Sequence, residues 1–533
     1  MHEITEIILL SSTFSLDELQ GARALVKAFF PEATVKIEEA DPVSNRIRTD
    51  NFGAPGKRAE AVGLAGVIRI EMEGDGPPFA FWRVGKQVED ANSLDSNRTE
   101  TIPIAAEDIT KILAHTNIGK ESSRNLLVKH ALIRVLSQVC AKELPWGILT
   151  GIRPSKIVHK MDDQGIPLGQ QMSVLTERYG IRPDKAELLQ EIVAVQRSYL
   201  NDFAANPKHI ALYLGIPFCP SRCSYCSFPA YPIDRERQAL TAYLQALRAE
   251  ILEVGEMMAT LGLTADSLYL GGGTPTVLTV EELSALFGEM KKYLPLAPDL
   301  EFTVEAGRPD TLTPAKFMLM RDAGVNRLSV NPQTMHADTL KRIGRAHRVE
   351  DVLAAYELAR EYSNWVINMD LILGLPGEGV AEVERTLELL QPLEPANLTV
   401  HTLALKRGSR EWEQGYRHAS APVIEEMQNL TRNIVRGWGL RPYYLYRQKH
   451  IAGNLENIGY AQPGWECRYN IAIMEERQSV IGLGAGASSK VVNPDDYSLT
   501  NDQHPSDWKS YATRWQDGHA KRVQAFEAVV LAT

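Results

Sequence analysis

The stretch Tyr213-Leu214-Gly215-Ile216-Pro217-Phe218-Cys219-Pro220-Ser221-Arg222-Cys223-Ser224-Tyr225-Cys226 decides how this chain is read. An apolar run, Ile210 to Leu214, leads directly into three cysteines spaced C-x-x-x-C-x-x-C. Three of the five cysteines crowd into eight positions, which excludes a disulfide framework and implies a reduced compartment with these thiols kept for metal. One loop with this spacing wraps three thiolates around three corners of a cube. An iron–sulfur cluster normally takes four protein cysteines. Three leave one iron with an open coordination position. The alternative is a structural zinc site completed by Cys467 or a histidine, although zinc loops more usually run C-x-x-C in separated pairs. Cys140 and Cys467 stand alone, as small buried apolar side chains do.

Outward from this loop, strands alternate with helices. Strands are predicted at Ile210 to Leu214, Ser267 to Leu270, Glu301 to Glu305, Arg327 to Val330, Trp365 to Leu373 and Asn397 to Leu403. Helices are predicted between them at Leu240 to Leu261, Val280 to Tyr293, Pro314 to Ala323, Val349 to Tyr362 and Val380 to Leu390. Six strands with helical crossovers imply a parallel sheet closed or partly closed into a barrel. Functional residues then belong at the C-terminal ends of its strands. Gly271-Gly272-Gly273-Thr274-Pro275 follows the second strand, where glycines let the backbone approach a ligand. Glu305 ends the third and Asp370 lies in the fifth; buried carboxylates need donor partners such as ribose hydroxyls.

The remainder of the 533 residues reads as further domains. Residues 1–140 are expected to form an N-terminal α/β domain, with a strand around Ile7 to Leu10, a helix from Leu16 to Phe30, a strand at Val67 to Glu73 and a loop at Lys86 to Arg98. Residues 141–207 read as a helical connector, 208–440 as the barrel, and 441–533 as a mixed C-terminal extension covering the substrate side. Within the connector, Trp146 to Lys156 marks a turn, with helices at Glu121 to Glu143 and Pro183 to Leu200 on either side. A net charge of -10 and a pI of about 5.8 argue against nucleic-acid backbones and anionic membranes as partners. No apolar run approaches the roughly 20 residues of a membrane helix, and the start Met1-His2-Glu3 is acidic where a signal peptide is basic. A cytoplasmic protein is expected.

Together these motifs resemble the radical S-adenosylmethionine (SAM) superfamily, and within it the oxygen-independent coproporphyrinogen III oxidases, most closely their HemZ-type coproporphyrinogen dehydrogenase branch. The resemblance extends over roughly residues 145 to 495. It is carried by the cysteine loop, Gly271 to Thr276, Val304 to Pro309, Arg327 to Gln333 and Asn368 to Gly377, with Trp146 to Lys156 and Pro442 to Lys449 as marks of the branch. It implies a partial (β/α)6 TIM-like radical SAM barrel. Cys219, Cys223 and Cys226 would hold a [4Fe-4S] cluster, and Gly272, Gly273, Thr274, Glu305, Gln333, Arg345 and Asp370 would contact SAM. Tyr225 resembles the family aromatic near the adenine, Thr402 is placed beside the site, and Gly482 to Ser488 looks like a loop closing over the cofactor.

The implied substrate is a tetrapyrrole with four propionates. Arg308, Lys406, Arg407, Arg447 and Lys449 are the candidate cations for it, since Arg suits bidentate carboxylate recognition. Tyr213 matches a catalytic-site tyrosine; two positions later the better-known enzymes carry a histidine where this chain has Gly215. His347 and His401 read as structural histidines that could also donate protons. The implied reaction is radical decarboxylation of two propionates to vinyl groups, converting coproporphyrinogen III to protoporphyrinogen IX. A reduced flavodoxin or ferredoxin-type donor would supply the electron. Competing readings are a radical SAM enzyme acting on haem by methyl transfer or ring opening, a haem-carrying chaperone without decarboxylase activity, and a zinc-stabilised binding protein.

Overall fold

The structure, a computed structural model, describes residues 4–11, 16–30, 33–39, 64–72, 78–85, 100–103, 106–113, 123–151, 153–228, 230–406, 409–414, 416, 419–449 and 451–532. The chain divides into two compact units, Met1–Gln190 and Glu191–Thr533.

The first unit holds a five-stranded sheet of β1 (Ile4–Ser11), β2 (Thr34–Glu39), β3 (Leu64–Met72), β4 (Pro78–Gly85) and β5 (Glu100–Pro103), in the order β2-β1-β3-β4-β5. β1 runs parallel to β2 and β3, whereas β3, β4 and β5 are antiparallel. Ile7 and Leu9 of β1 are fully buried, as are Leu19, Ala22 and Leu25 of the helix Leu16–Phe29. The helix predicted at Glu121 to Glu143 spans Ser123–Cys140. The loop predicted at Lys86 to Arg98 lies outside the described residues.

In the second unit the six predicted strands are all present. They are β6 (His209–Ile216), β9 (Thr264–Gly272), β10 (Leu296–Glu305), β11 (Arg327–Ser329), β12 (Val366–Leu373) and β13 (Asn397–Thr402). Each is parallel to the next. Two short strands, β7 (Phe218–Cys219) and β8 (Tyr231–Pro232), pair in parallel and staple the two ends of the cysteine loop together. The parallel strands are apolar on the face covered by helices, as sheets buried on both sides must be. Their other face is different: Thr303 and Glu305, Asn368 and Asp370, and Asn397, Thr399 and His401 alternate inward with the period of two.

Helix ends follow local chemistry. The helix Val280–Tyr293 begins on a capping box in which Thr279 and Glu282 satisfy each other's backbone N–H, and Lys291 and Lys292 occupy its last turn. Pro314–Asp322 starts with Thr313 as cap and Pro at the first position. Arg237–Leu261 stops at Gly262, whose φ of 67° belongs to the left-handed region.

The C-terminal region extends both edges of this sheet. β15 (Asn457–Ala461) pairs antiparallel with β13, and β14 (Arg441–Tyr446) with β15. On the other edge β16 (Val480–Leu483) lies parallel to β6 and is followed by antiparallel β17 (Ser488–Val492) and β18 (Leu499–Gln503). The result is an eleven-stranded sheet in the order β14-β15-β13-β12-β11-β10-β9-β6-β16-β17-β18. Among the described residues, no helix is long and apolar enough to cross a membrane.

Candidate active site

The cysteine loop leaves β6 and is fixed by backbone bonds to its surroundings. Tyr231 N–H donates to Pro217 O at 2.9 Å and Ile233 N–H to Cys219 O at 3.0 Å, closing the loop at its base. At its tip, Ser224 N–H reaches Ile343 O at 3.0 Å and Cys226 N–H reaches Cys223 O at 3.2 Å. Burial pushes the Cys219 thiol up to about 11 and raises that of Cys226. Cys219 and Cys226 therefore hold their protons until a metal displaces them, the ordinary coupling between thiolate ligation and proton release. Among the described residues, no three His, Cys, Asp or Glu side chains converge closely enough to hold a single ion. Cys467, the postulated fourth zinc ligand, instead donates its thiol to Glu301 Oε1 at 3.3 Å, and burial pushes it up to about 12.

The glycine turn after β9 lies against this loop. Gly273 N–H donates to Ile216 O and Thr274 N–H to Phe218 O, both at 2.8 Å, and Thr274 Oγ1 is 3.5 Å from Cys219 Sγ. A Cβ on Gly273 would stand 2.6 Å from Phe218 O and 2.9 Å from Cys219 Sγ, so only glycine fits. Gly272, with φ at 110°, turns its N–H to Glu305 Oε2 at 3.1 Å.

A cavity of about 420 Å³ opens from the cysteine loop into the barrel. It is lined by all three cysteines and by Gly272, Gly273, Thr274, Glu305, Gln333, Arg345 and Asp370, together with Tyr213, Tyr225 and Thr402. Glu305 accepts from Tyr269 OH at 2.8 Å; burial, with a smaller push from Asp370, raises its carboxyl to about 7. Asp370 accepts from Asn368 Nδ2 at 2.7 Å, and its Oδ2 lies 3.8 Å from His401 Nε2. Gln333 has a φ of 65°, costly for a residue with a Cβ. It is held there by its N–H to Asp370 O at 2.8 Å and its carbonyl to Ile372 N–H at 3.0 Å. Its side-chain Oε1 is buried without a partner among the described residues, although it lines the cavity. Such an atom fits a polar ligand. Arg345 donates to Gly307 O, Asn331 O and Tyr225 OH at 2.9, 3.0 and 3.2 Å, fixing Tyr225 beside the cysteines. The hydroxyl of Thr402 is already spent on Glu456 O at 2.9 Å and Gln428 Nε2 at 3.0 Å.

The candidate substrate cations separate. Lys406 lines the cavity, its Nζ 5.6 Å from the exposed Phe228 ring, and burial pushes its amine down. Arg308 also lines the cavity, but its guanidinium is turned to Asp310, Ser221 and Cys223. Arg447 is buried, bonded to Asn454 Oδ1 at 2.8 Å and pushed down to about 10 by burial. Neither Arg447 nor the exposed Lys449 is among the cavity residues. Arg407 lies outside the described residues. His347 is buried with neither ring nitrogen bonded among the described residues, and burial pushes it down to about 4, so it is neutral. The Gly482 to Ser488 run forms the end of β16, a tight turn and the start of β17; none of it lines the cavity. Tyr269, Thr303, Asn331, Asn368 and Tyr446 line the cavity without having been singled out in the sequence. For two of them the signal was position: Thr303 and Asn368 each sit two residues before a predicted site carboxylate on the same strand.

The Radical SAM superfamily profile matches residues 213–390. The oxygen-independent coproporphyrinogen-III oxidase-like protein HemZ of Bacillus subtilis is 39% identical over 428 residues, covering 79% of this chain and 85% of HemZ. The heme chaperone HemW of the same organism is 32% identical over 284 residues, covering 52% of this chain and 69% of HemW. Among solved structures, the radical SAM coproporphyrinogen III oxidase HemN of Escherichia coli aligns with a TM-score of 0.48 at 22% identity, covering 60% of this chain and 72% of that one. The chain belongs to the radical SAM superfamily and, within it, to the coproporphyrinogen-III-oxidase-like family of HemZ. Its cofactors are accordingly a [4Fe-4S] cluster and SAM. The three thiols on one loop, the glycine cradle beside Cys219 and the unpartnered Gln333 oxygen fit that pair.

Proposed function

We propose that the chain carries out oxygen-independent oxidative decarboxylation of coproporphyrinogen III to protoporphyrinogen IX. The observation carrying this reading is the reach of the likeness to HemZ, which extends over 79% of this chain and 85% of that relative. When bound, the cluster and SAM supply a 5′-deoxyadenosyl radical, formed with one electron from a reduced flavodoxin or ferredoxin-type donor. Cys219, Cys223 and Cys226 hold the cluster. Glu305 and Asp370 stand as acceptors for hydroxyls, Gln333 Oε1 as a further acceptor, and the Gly272–Thr274 backbone as the close wall. Arg345 holds Tyr225 in place. Tyr213, Tyr269 and Tyr446 enclose the space beneath and keep water from a reactive carbon. Lys406 is placed at the cavity to take a propionate. Loss of a β-hydrogen, carbon dioxide and one electron to an external acceptor leaves each vinyl group.

The likeness to HemW, at 32% identity, supports a second reading as a haem carrier. Anaerobic reconstitution of the full chain with iron and sulfide, followed by dithionite, SAM and coproporphyrinogen III, separates the two. Decarboxylated tetrapyrrole in step with 5′-deoxyadenosine is expected. Release of 5′-deoxyadenosine with the tetrapyrrole intact removes this substrate, and tight haem binding without vinyl formation favours the carrier. The same assay with haem tests methyl transfer or ring opening.

A further inference from the structure

Arg308 stands where a propionate-binding cation was expected, yet its donors face the cysteine loop. Its side chain is 4% exposed. Nε and Nη2 fork onto Asp310 at 3.2 and 3.5 Å, and Nη2 also donates to Ser221 Oγ at 3.0 Å. Nη1 points at Ser221 O at 3.4 Å and Cys223 Sγ at 3.7 Å. The carboxylate thus orients the guanidinium from one edge while the loop between Cys219 and Cys223 receives the other. The backbone behind it is tied down as well: Thr311 Oγ1 donates to Arg308 O at 2.7 Å, and Lys316 Nζ bonds Thr276 O and Thr311 O at 2.6 and 2.8 Å. A permanently charged, buried donor held against one thiolate ligand acts on the metal group through that sulfur.

We propose that Arg308 is a positioning residue for the cluster, which tunes its reduction potential through Cys223, and is not a substrate-binding cation. Taking up one electron makes the cluster more negative by one charge, and a fixed guanidinium at a ligand sulfur favours that reduced state. The inference rests on the cluster and holds whichever tetrapyrrole is processed.

The test is a redox titration with dithionite on the anaerobically reconstituted full chain, following the reduced cluster by electron paramagnetic resonance at matched iron and sulfide content. In R308M the reduced-to-oxidised ratio at a fixed potential is expected to fall about tenfold, a shift of ~59 mV to more negative values for one electron. R308K, which keeps the charge without the fork, recovers part of the shift. D310N leaves the guanidinium in place without its counter-charge and moves the potential the opposite way. An R308M midpoint equal to that of the unaltered chain overturns the proposal, as does a D310N midpoint equal to it should R308M fail to retain iron. Failure of the unaltered chain to take up a cluster would instead sink the cofactor assignment itself.

Discussion

At the scale of single residues, the carboxyl of Glu305 receives Tyr269 OH and Gly272 N–H, and still sits at about 7 because burial outweighs both bonds. Unfolded, the same group ionises near its ordinary value, so the protein without SAM loses stability as pH rises from that value to about 7. The carboxyl lines the open cavity and is only partly buried, so the penalty is discounted to about 1–2 kcal/mol. Glu305→Gln is therefore expected to melt higher than the unaltered apoprotein at pH 8 and equally with it at pH 4, while SAM affinity falls. Equal melting temperatures at both pH values would remove this account. Arg345 and Arg308 illustrate why charge alone misleads at this scale. Both cations line the cavity, and both direct donors to groups of the protein instead of leaving them for a ligand.

At the scale of elements, the turn after β9 and the cysteine loop form one unit whose spacing depends on Gly273. Gly273→Ala drives a methyl into Phe218 O and Cys219 Sγ, neither of which is a flexible side-chain end. Loss of most of the reconstituted iron is expected, measured per chain. Gly288→Ala is the control: it lies inside the helix Val280–Tyr293 with nothing within 4 Å of the added carbon. It should retain iron and gain about 0.5–1 kcal/mol in denaturant unfolding. Retention of iron by both variants would show that the close approach is immaterial.

Elements also decided how much could be read before the structure. Val280–Tyr293 and Val349–Tyr362 were legible to the residue, because apolar spacing and first-turn acids mark their ends. β14 and β16 were not legible. Pro442 to Leu445 and Val480 to Leu483 are buried throughout, so neither shows the alternation that announces a strand. In the site, cysteines, glycines and carboxylates stood out by type and spacing. Tyr269 did not, since what sets it opposite Thr303 is a register across β9 and β10 that no local pattern records.

At the scale of the whole second unit, the C-terminal segment is anchored by a buried charge cluster. Glu250, fully buried on the helix Arg237–Leu261, accepts from His504 Nε2 at 2.6 Å, Tyr511 OH at 2.7 Å and Gly484 N–H at 3.0 Å, and pairs with the equally buried Arg522 at 3.3 Å. Burial pushes its carboxyl up, but His504, Arg522 and Tyr511 together hold it below the ordinary range. Its contribution is therefore present above that range and is lost as pH falls through the lowered value. Removing the charge leaves the buried Arg522 only its longer pair with Asp502, at 3.8 Å. Glu250→Gln is expected to cost about 3–5 kcal/mol at pH 7, seen as a lower thermal midpoint whose deficit shrinks in acid. An unchanged midpoint at pH 7 would mean that the cluster does not hold the segment.

Both margins of the eleven-stranded sheet are built from β14 to β18, the first of which begins at Arg441. During synthesis, β6 and β13 are complete long before the strands that border them leave the ribosome. For that interval each presents a bare row of backbone donors and acceptors to any extended segment nearby. A polypeptide cut short before Arg441 would keep every cysteine of the metal loop and still be a template for aggregation, so full-length translation protects this protein as well as completing it.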